Sequence, residues 1–143
     1  MIVDSKQRKL NIGQIVMGYL ESTPQKMPLK VMLPAVLAEL SNKNVKTKQF
    51  GNTLFEVIPG KDGAAFFKAF NADTGANFVD NGKLFVVYAR RVLGLKNLVT
   101  QFEDPAILHI FKIISMNPPM PGMGYKTQQL KSGETRVILN LGA

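Results

Sequence analysis

The chain opens with apolar residues at Leu10, Ile12, Ile15, Val16 and Leu20, set among charged and polar positions. That recurrence follows one face of a 3.6-residue period. It predicts an amphipathic helix over residues 6–21, with Gly13 and Gly18 as its weak points. Pro24 and Pro28 make the next stretch a connection. Residues 28–41 are apolar on almost every side, which predicts a mostly buried helix that Pro34 kinks or divides into two pieces. The polar run Ser41–Lys46 reads as a turn.

The strongest hairpin signal follows. KTKQF and TLFEVI flank Gly51-Asn52, a pair that supplies positive φ in a tight turn, and Pro59-Gly60 ends the second strand. From Asp62 to Lys83 the sequence combines one apolar helical piece with two turn-prone clusters. KLFVVYARRVLG admits strand or helix; its length and Gly94 favour a buried helix with an αL cap. LKNLVTQF is a compact strand. Asp104-Pro105 has the chemistry of a helix start, because Asp accepts free backbone amides and Pro has no N–H to lose there. The helix AILHIFKIISM then runs to Asn117-Pro118-Pro119. Residues 117–124 form a Pro/Gly/Met-rich loop that suits either a lid or a rigid cap on the sheet. YKTQQL and TRVILNL close the chain as a second hairpin around KSGE. Residues 45–143 therefore read β-α-β-α-β-β, an α/β class with a mixed sheet flanked by helices.

Composition narrows the reading. A length of 143 residues suits a single domain, 1–143, with a helical N-terminal part (1–44) and the alternating part (45–143). With 45% apolar and 20% charged residues, the chain is too apolar for disorder. It has no cysteine, hence no disulfide or thiolate metal site, and one histidine, His109, which argues against a histidine metal centre. No apolar run approaches the roughly 18 residues of a spanning helix. The N-terminal MIVDSKQRKL carries charge where a secretion signal needs an apolar core, so a cytoplasmic location is expected. The net charge of +8, with local clusters at Lys6, Arg8, Lys9 and at Lys43, Lys46, Lys48, would attract nucleic acid, anionic cofactors or acidic proteins. A solvated surface that keeps the chain soluble explains it equally. No cluster interleaves basic with aromatic residues as single-strand binders do.

Three segments carry a resemblance: VIPGKDGAA, GLKNLVTQF, and EDPAILHIFKIISM with Gly124-Tyr125 beyond it, closed by the final hairpin. Over roughly residues 45–143 the chain resembles the GNAT (Gcn5-related N-acetyltransferase) family. The first segment resembles the end of that family's fourth strand and its acyl-CoA loop, and the second its fifth strand. The third resembles a helix with an Asn/Ala/Tyr pattern that leads to Gly-Phe. Within the family the chain is similar to small, divergent members encoded by short-tailed phages, some of them carried in the virion. A location in host cytoplasm or virion would follow.

The resemblance implies acetyl-CoA as cofactor and an amine, on a protein or a small molecule, as acceptor. The family seats the cofactor pyrophosphate on backbone amides at a helix N-terminus, in a loop of pattern Q/R-x-x-G-x-G/A. Lys61, Gly63, Ala64 and Ala65 are the expected cofactor-binding residues, with Gly60 at the leading Gln/Arg position and Asp62 beside the phosphates. A second placement is Asn81-Gly82-Lys83. A glycine loop after a strand also serves simply as a turn. For catalysis, Glu56 matches the base and His109 would stand in for the acid, since Ile110 or Phe111 occupies the family's tyrosine position. Their plainer roles are a solvent-facing strand residue and a packing histidine. Tyr125 matches an aromatic residue whose role is packing. The leading expectation is a divergent N-acyltransferase with a degenerate site. The alternatives are a non-catalytic virion or assembly component with protein partners, and a basic nucleic-acid-binding protein, for which no motif accompanies the charge. No membrane partner is expected.

Overall fold

A computed structural model of the chain describes residues 14–21, 27–42, 44–103 and 106–142. The elements run α1 (residues 14–21), α2 (Leu29–Leu40), β1 (Lys46–Phe50), β2 (Thr53–Pro59), β3 (Ala64–Asn71), α3 (Gly75–Arg91), β4 (Asn97–Phe102), α4 (Ala106–Met116), β5 (Gly124–Gln129) and β6 (Thr135–Asn140). The strands form one mixed sheet in the order β1-β2-β3-β4-β6-β5. Only β3 and β4 are parallel neighbours; the other pairs are antiparallel. This is the expected α/β class, with helices on both faces of the sheet.

Each face has its own core. On one face α3 and α4 bury Phe85, Val86, Ala89, Phe111 and Ile114 against Phe55, Val57, Ala65, Phe67, Leu98 and Val137. On the other, α1 and α2 bury Ile15, Val16, Leu20 and Val36 against Leu54 and Phe70. Because β2 is covered on both faces, its residues 53–57 are all buried.

Both hairpins, the helix over 106–116 and the positive φ of Gly94 (69°) agree with the sequence reading. Two elements differ. Residues 64–71, read as an apolar helical piece, form β3, where Ala65 and Phe67 face the α3 core and Phe66 and Lys68 face the other way. A short apolar run is ambiguous by periodicity, and pairing with β2 on one side and β4 on the other settles it. Helix α3 also begins earlier than expected, at Gly75, and absorbs Asp80-Asn81-Gly82, which resembles a turn. A Cβ on Gly82 would lie 3.3 Å from Ile114 Cδ1, so the glycine permits the close crossing of α3 and α4. In α2, Pro34 sits inside one continuous helix, and Val36 is the helix's buried residue. Met27 is exposed, while Met32 packs against the α1–α2 core. The expected start of the first helix over 6–13 and the Asp104-Pro105 cap lie outside the described residues.

Phe85 anchors the larger core: it is 1% exposed and stacks on Phe55 at 4.2 Å with a 3° interplanar angle. Phe85→Ala is expected to cost about 3–5 kcal/mol through lost transfer energy and the cavity left behind. The shift in denaturant midpoint at unchanged slope measures it.

Candidate functional site

The parallel ladder between β3 and β4 is short. Ala64, Ala65 and Phe66 pair with Asn97, Leu98 and Val99, but β3 continues to Asn71 and β4 to Phe102 without pairing. The strands part after Phe66 and Val99. On the α3–α4 face Phe111 contacts both sides of the gap, with ring centroids 6.4 Å from Phe67 and 6.0 Å from Phe102. The result is a fork open towards the carboxyl ends of two parallel strands, the end of an α/β sheet where ligands characteristically bind. Backbone groups of β3 beyond Phe66 have no β4 partner across it.

The chain leaves β3 at that open end and enters α3 through Ala72-Asp73-Thr74. A polar network fixes this junction. Asn52 N and Asn81 Nδ2 each donate to Asp73 Oδ2 at 2.8 Å, and Asp73 N donates to Asn71 Oδ1 at 3.0 Å. Thr53 Oγ1 donates to Asn71 Oδ1 at 2.8 Å and accepts from Asn81 Nδ2 at 3.0 Å. Ala72 N donates to Asn52 O at 2.9 Å, so the β1–β2 turn is docked on the junction. Gly51 (φ 57°) belongs to the same contact: a Cβ there would fall 2.9 Å from the Asn81 and Asp73 side chains. Helix α1 packs beneath, where a Cβ on Gly18 would lie 3.2 Å from Ala72 Cβ. A polar-lined cleft of about 320 Å³ borders this junction, lined by Gln14, Ile15, Gln49, Asn52 and Ala72.

The start of α3 is left open by this arrangement. Thr74 at the N-cap makes no side-chain cap hydrogen bond, and its carbonyl accepts from Phe78 N at 2.8 Å. The first turn carries no acidic residue, Gly75 and Ala76 are exposed, and a Cβ on Gly75 would meet nothing within 4 Å. Unpaired first-turn amides and the helix dipole make such an end suited to an anion. Asp73 is turned into the network, where the Asn52 backbone N–H leads in holding its carboxyl below its ordinary value; burial opposes, and the Asn81, Asn52 and Asn77 side chains add to the lowering.

The sequence-derived cofactor residues occupy a different place. Lys61, Gly63, Ala64 and Ala65 belong to the β2–β3 hairpin, at the amino end of β3. Gly60 N donates to Ala64 O, Ala64 N to Lys61 O, and Lys96 N to Gly63 O, all within 3.1 Å. This turn opens a strand and not a helix, so the helix-terminal amides that the expectation required are absent there. Asn81-Gly82-Lys83, the second placement, lies inside α3, with Asn81 and Gly82 buried. The junction between β3 and α3, a strand-to-helix connection, is Ala72-Asp73-Thr74-Gly75-Ala76-Asn77. It keeps the fourth-position glycine of the expected pattern but has Ala72 where Gln or Arg leads and Asn77 where Gly or Ala ends it. Recognising β3 as a strand is the signal that would have found it.

The expected catalytic pair is not brought together. Glu56 is 0% exposed on the α1–α2 face of β2, directly opposite Lys68 on β3. It is therefore not the solvent-facing residue of the plainer reading. His109 is exposed on α4, on the other face of the sheet, and does not pack in the core. Ile110 packs against the core, and Phe111 is the ring in the fork. Burial first, then the Glu39 carboxylate, push the Glu56 carboxyl up to about 7, with Lys68 opposing. Tyr125 packs against the α3–α4 core, and Met120 and Met123 of the 117–124 loop are buried in it, which gives that loop the character of a cap. Among the described residues no His/Asp/Glu cluster could hold a metal ion, and no helix is long and apolar enough to cross a membrane.

No protein-family model and no curated protein matches the sequence. Solved structures do. A mutant of spermidine N-acetyltransferase SpeG from Vibrio cholerae is similar with a TM-score of 0.55 at 11% identity, covering 94% of this chain and 89% of that one. A chimera of SpeG from Vibrio cholerae and hSSAT gives a TM-score of 0.53 at 11% identity, covering 99% and 94%. The fold is thus the GNAT fold, a six-stranded mixed sheet flanked by helices.

Removing the carboxylate that ties the β3–α3 junction should loosen it. Asp73→Ala strands the Asn52 N–H and should lower the melting temperature at neutral pH. The lowered carboxyl of Asp73 gives stability that is present above the ordinary Asp value of 3.8 and is lost as pH falls through the lower folded value. The gap between wild type and variant is therefore expected to close on acidification, as melting curves across that range would record.

Proposed function

We propose that this chain is an acyl-CoA-dependent N-acyltransferase whose donor site lies at the fork between β3 and β4. The observation that carries the reading is the uncapped start of α3 at the open end of that fork. Backbone amides of Gly75, Ala76 and Asn77 would hold the pyrophosphate of acetyl-CoA, and the β4-facing edge of Phe67–Asn71, which has no strand partner on that side, offers backbone groups to its amide-bearing arm. The cofactor would supply an activated thioester acyl group. Two chains of GNAT fold similar to this one are spermidine N-acetyltransferases by name, which supports the class of chemistry and makes spermidine the first acceptor to test.

Glu56 is the group that takes a proton from the acceptor amine in this reading. A carboxyl near 7 is matched to that task at neutral pH. Burial under α2 means that the acceptor reaches it only when α2 gives way. His109, on the opposite face, has no part in the reading. The narrower possibility of a phage-type member, and the alternatives of a virion component or a nucleic-acid binder, rest on sequence alone, and no observation in the fold favours them.

Calorimetric titration of acetyl-CoA tests the donor site. Wild type is expected to bind with micromolar affinity, and Gly75→Glu, which puts bulk and negative charge on the first turn of α3, to lose at least about tenfold. Gly63→Glu, in the β2–β3 hairpin, is expected to bind as wild type does. Loss in Gly63→Glu alone would return the site to the hairpin, and no binding by the wild type would remove the acyltransferase reading.

A further inference from the structure

Glu56 is a carboxylate in the middle of a strand covered on both faces. It is 0% exposed, and neither oxygen meets a hydrogen-bond donor among the described residues. Its neighbours across the sheet are Thr47 on β1 and Lys68 on β3. Directly opposed residues on one face stand about 5 Å apart at Cβ, so the Lys68 stem rises beside Glu56. From above, α2 contributes Glu39, whose Oε1 accepts from Lys68 Nζ at 2.8 Å. Tyr19 on α1 faces Lys68 as well. Among the described residues Glu39 and Lys68 are the titratable groups that bear on Glu56 from the packed elements, and Tyr19 bears on it through Lys68. Two carboxylates therefore compete for one ammonium. One carboxylate belongs to the sheet and the other to a helix with a single buried side chain, Val36.

We propose that Glu56, Glu39 and Lys68 form a pH-sensitive latch that holds α2 on the sheet, the Lys68 ion pair passing from Glu39 to Glu56 as pH rises. With a proton on Glu56 the charges balance: Lys68 pairs with Glu39, and the Glu56 carboxyl can donate to the same Glu39 carboxylate. When Glu56 ionises, a second negative charge is buried beside Glu39 and repels it. The same charge draws Lys68 across the strands, and α2 loses its polar tie.

The direction of the shifts agrees. The hydrogen bond from Lys68 leads the lowering of Glu39, against the opposing effect of burial. On Lys68 burial works against the charge, and the Glu39 bond together with the charges of Glu39 and Glu56 outweighs it and raises the ammonium. Glu56 stands at about 7, above its ordinary value of 4.5, so the folded state holds a proton that the unfolded chain has released. The stabilisation is complete below 4.5 and is lost as pH rises through about 7. No ligand takes part, so the latch stands or falls independently of the acyltransferase reading.

Hydrogen exchange on the whole chain, corrected for the intrinsic pH dependence of exchange, tests this. Between about pH 5.5 and about pH 8.5, amide protection over Val36–Leu40 of α2 is expected to fall roughly tenfold or more relative to Phe85–Ala89 of α3. Glu56→Gln cannot ionise and still offers a donor to Glu39, so its α2 should stay protected at both pH values. Glu39→Gln removes the helix partner, so its α2 should be weakly protected at both. A constant wild-type ratio would overturn the latch even if Glu56→Gln failed to fold. So would a wild-type pH response retained in either variant.

Discussion

The architecture turns on a wedge. Phe111, delivered by α4, contacts Phe67 of β3 and Phe102 of β4, and the parallel ladder between those strands ends after Phe66 and Val99. Aromatic side chains bury large areas and keep defined edge or offset geometries, so a ring at this point sets strand separation as well as adding to the core. An unbroken β3–β4 ladder would satisfy the backbone and leave no cleft. With the ring in place, the β4-facing edge of β3 beyond Phe66 has no strand partner at the carboxyl end of the sheet, the end from which the chain enters α3.

The position of α3 follows from the same end of the molecule. The loop from Ala72 to Thr74 has no regular structure of its own and is held by side chains: Asp73 and Asn71, the last residue of β3, collect donors from the β1–β2 turn, from β2 and from α3 itself. Such shared acceptors rigidify a short loop because moving any one member strands several polar groups at once. With Gly18 allowing α1 to close in from below, the first turn of α3 is presented to solvent without a side-chain cap. Asp73, the acidic residue just before that turn, has its carboxylate engaged by the Asn52 N–H and the Asn81 amide.

Much of this frame was legible in the sequence and the decisive junction was not. Gly51-Asn52, Gly94 and the closing hairpin carry local turn chemistry, and local chemistry survives folding unchanged. The strand over 64–71 carries none. AAFFKAF reads equally as a helical piece until its neighbours are known, and missing it put the expected phosphate loop at Gly60–Ala65, a turn that opens a strand and not a helix. Asp80-Asn81-Gly82 misled for a complementary reason. A polar triplet suggests a turn, whereas here Asn81 is spent on the Asp73 network and Gly82 on the crossing with α4. The burial of Glu56 had a readable signal: TLFEVI is apolar on both sides of the glutamate, the pattern of a strand covered on both faces. What no sequence pattern gives is that Lys68 and Glu39 meet over it.

Phe111 also bears on chemistry. A ring that holds the fork open has no proton to give, and His109 is on a surface remote from Glu56, so α4 supplies no acid on the side of the sheet where Glu56 lies. Acyl transfer from a thioester does not depend strictly on one. A thiol titrates near 8.5, so a thiolate is a tolerable leaving group close to neutral pH, in a way that an alkoxide is not. The demanding proton is the one on the attacking amine, which is an ammonium at neutral pH and must lose it to become nucleophilic. A carboxyl poised at about 7 on the α2 side of the fork meets that demand, and its burial ties the chemistry to the movement of α2. In the proposed acyl transfer, an aromatic at position 111 serves as a wedge and not as an acid, which leaves Glu56 on the α2 face as the group that handles the proton.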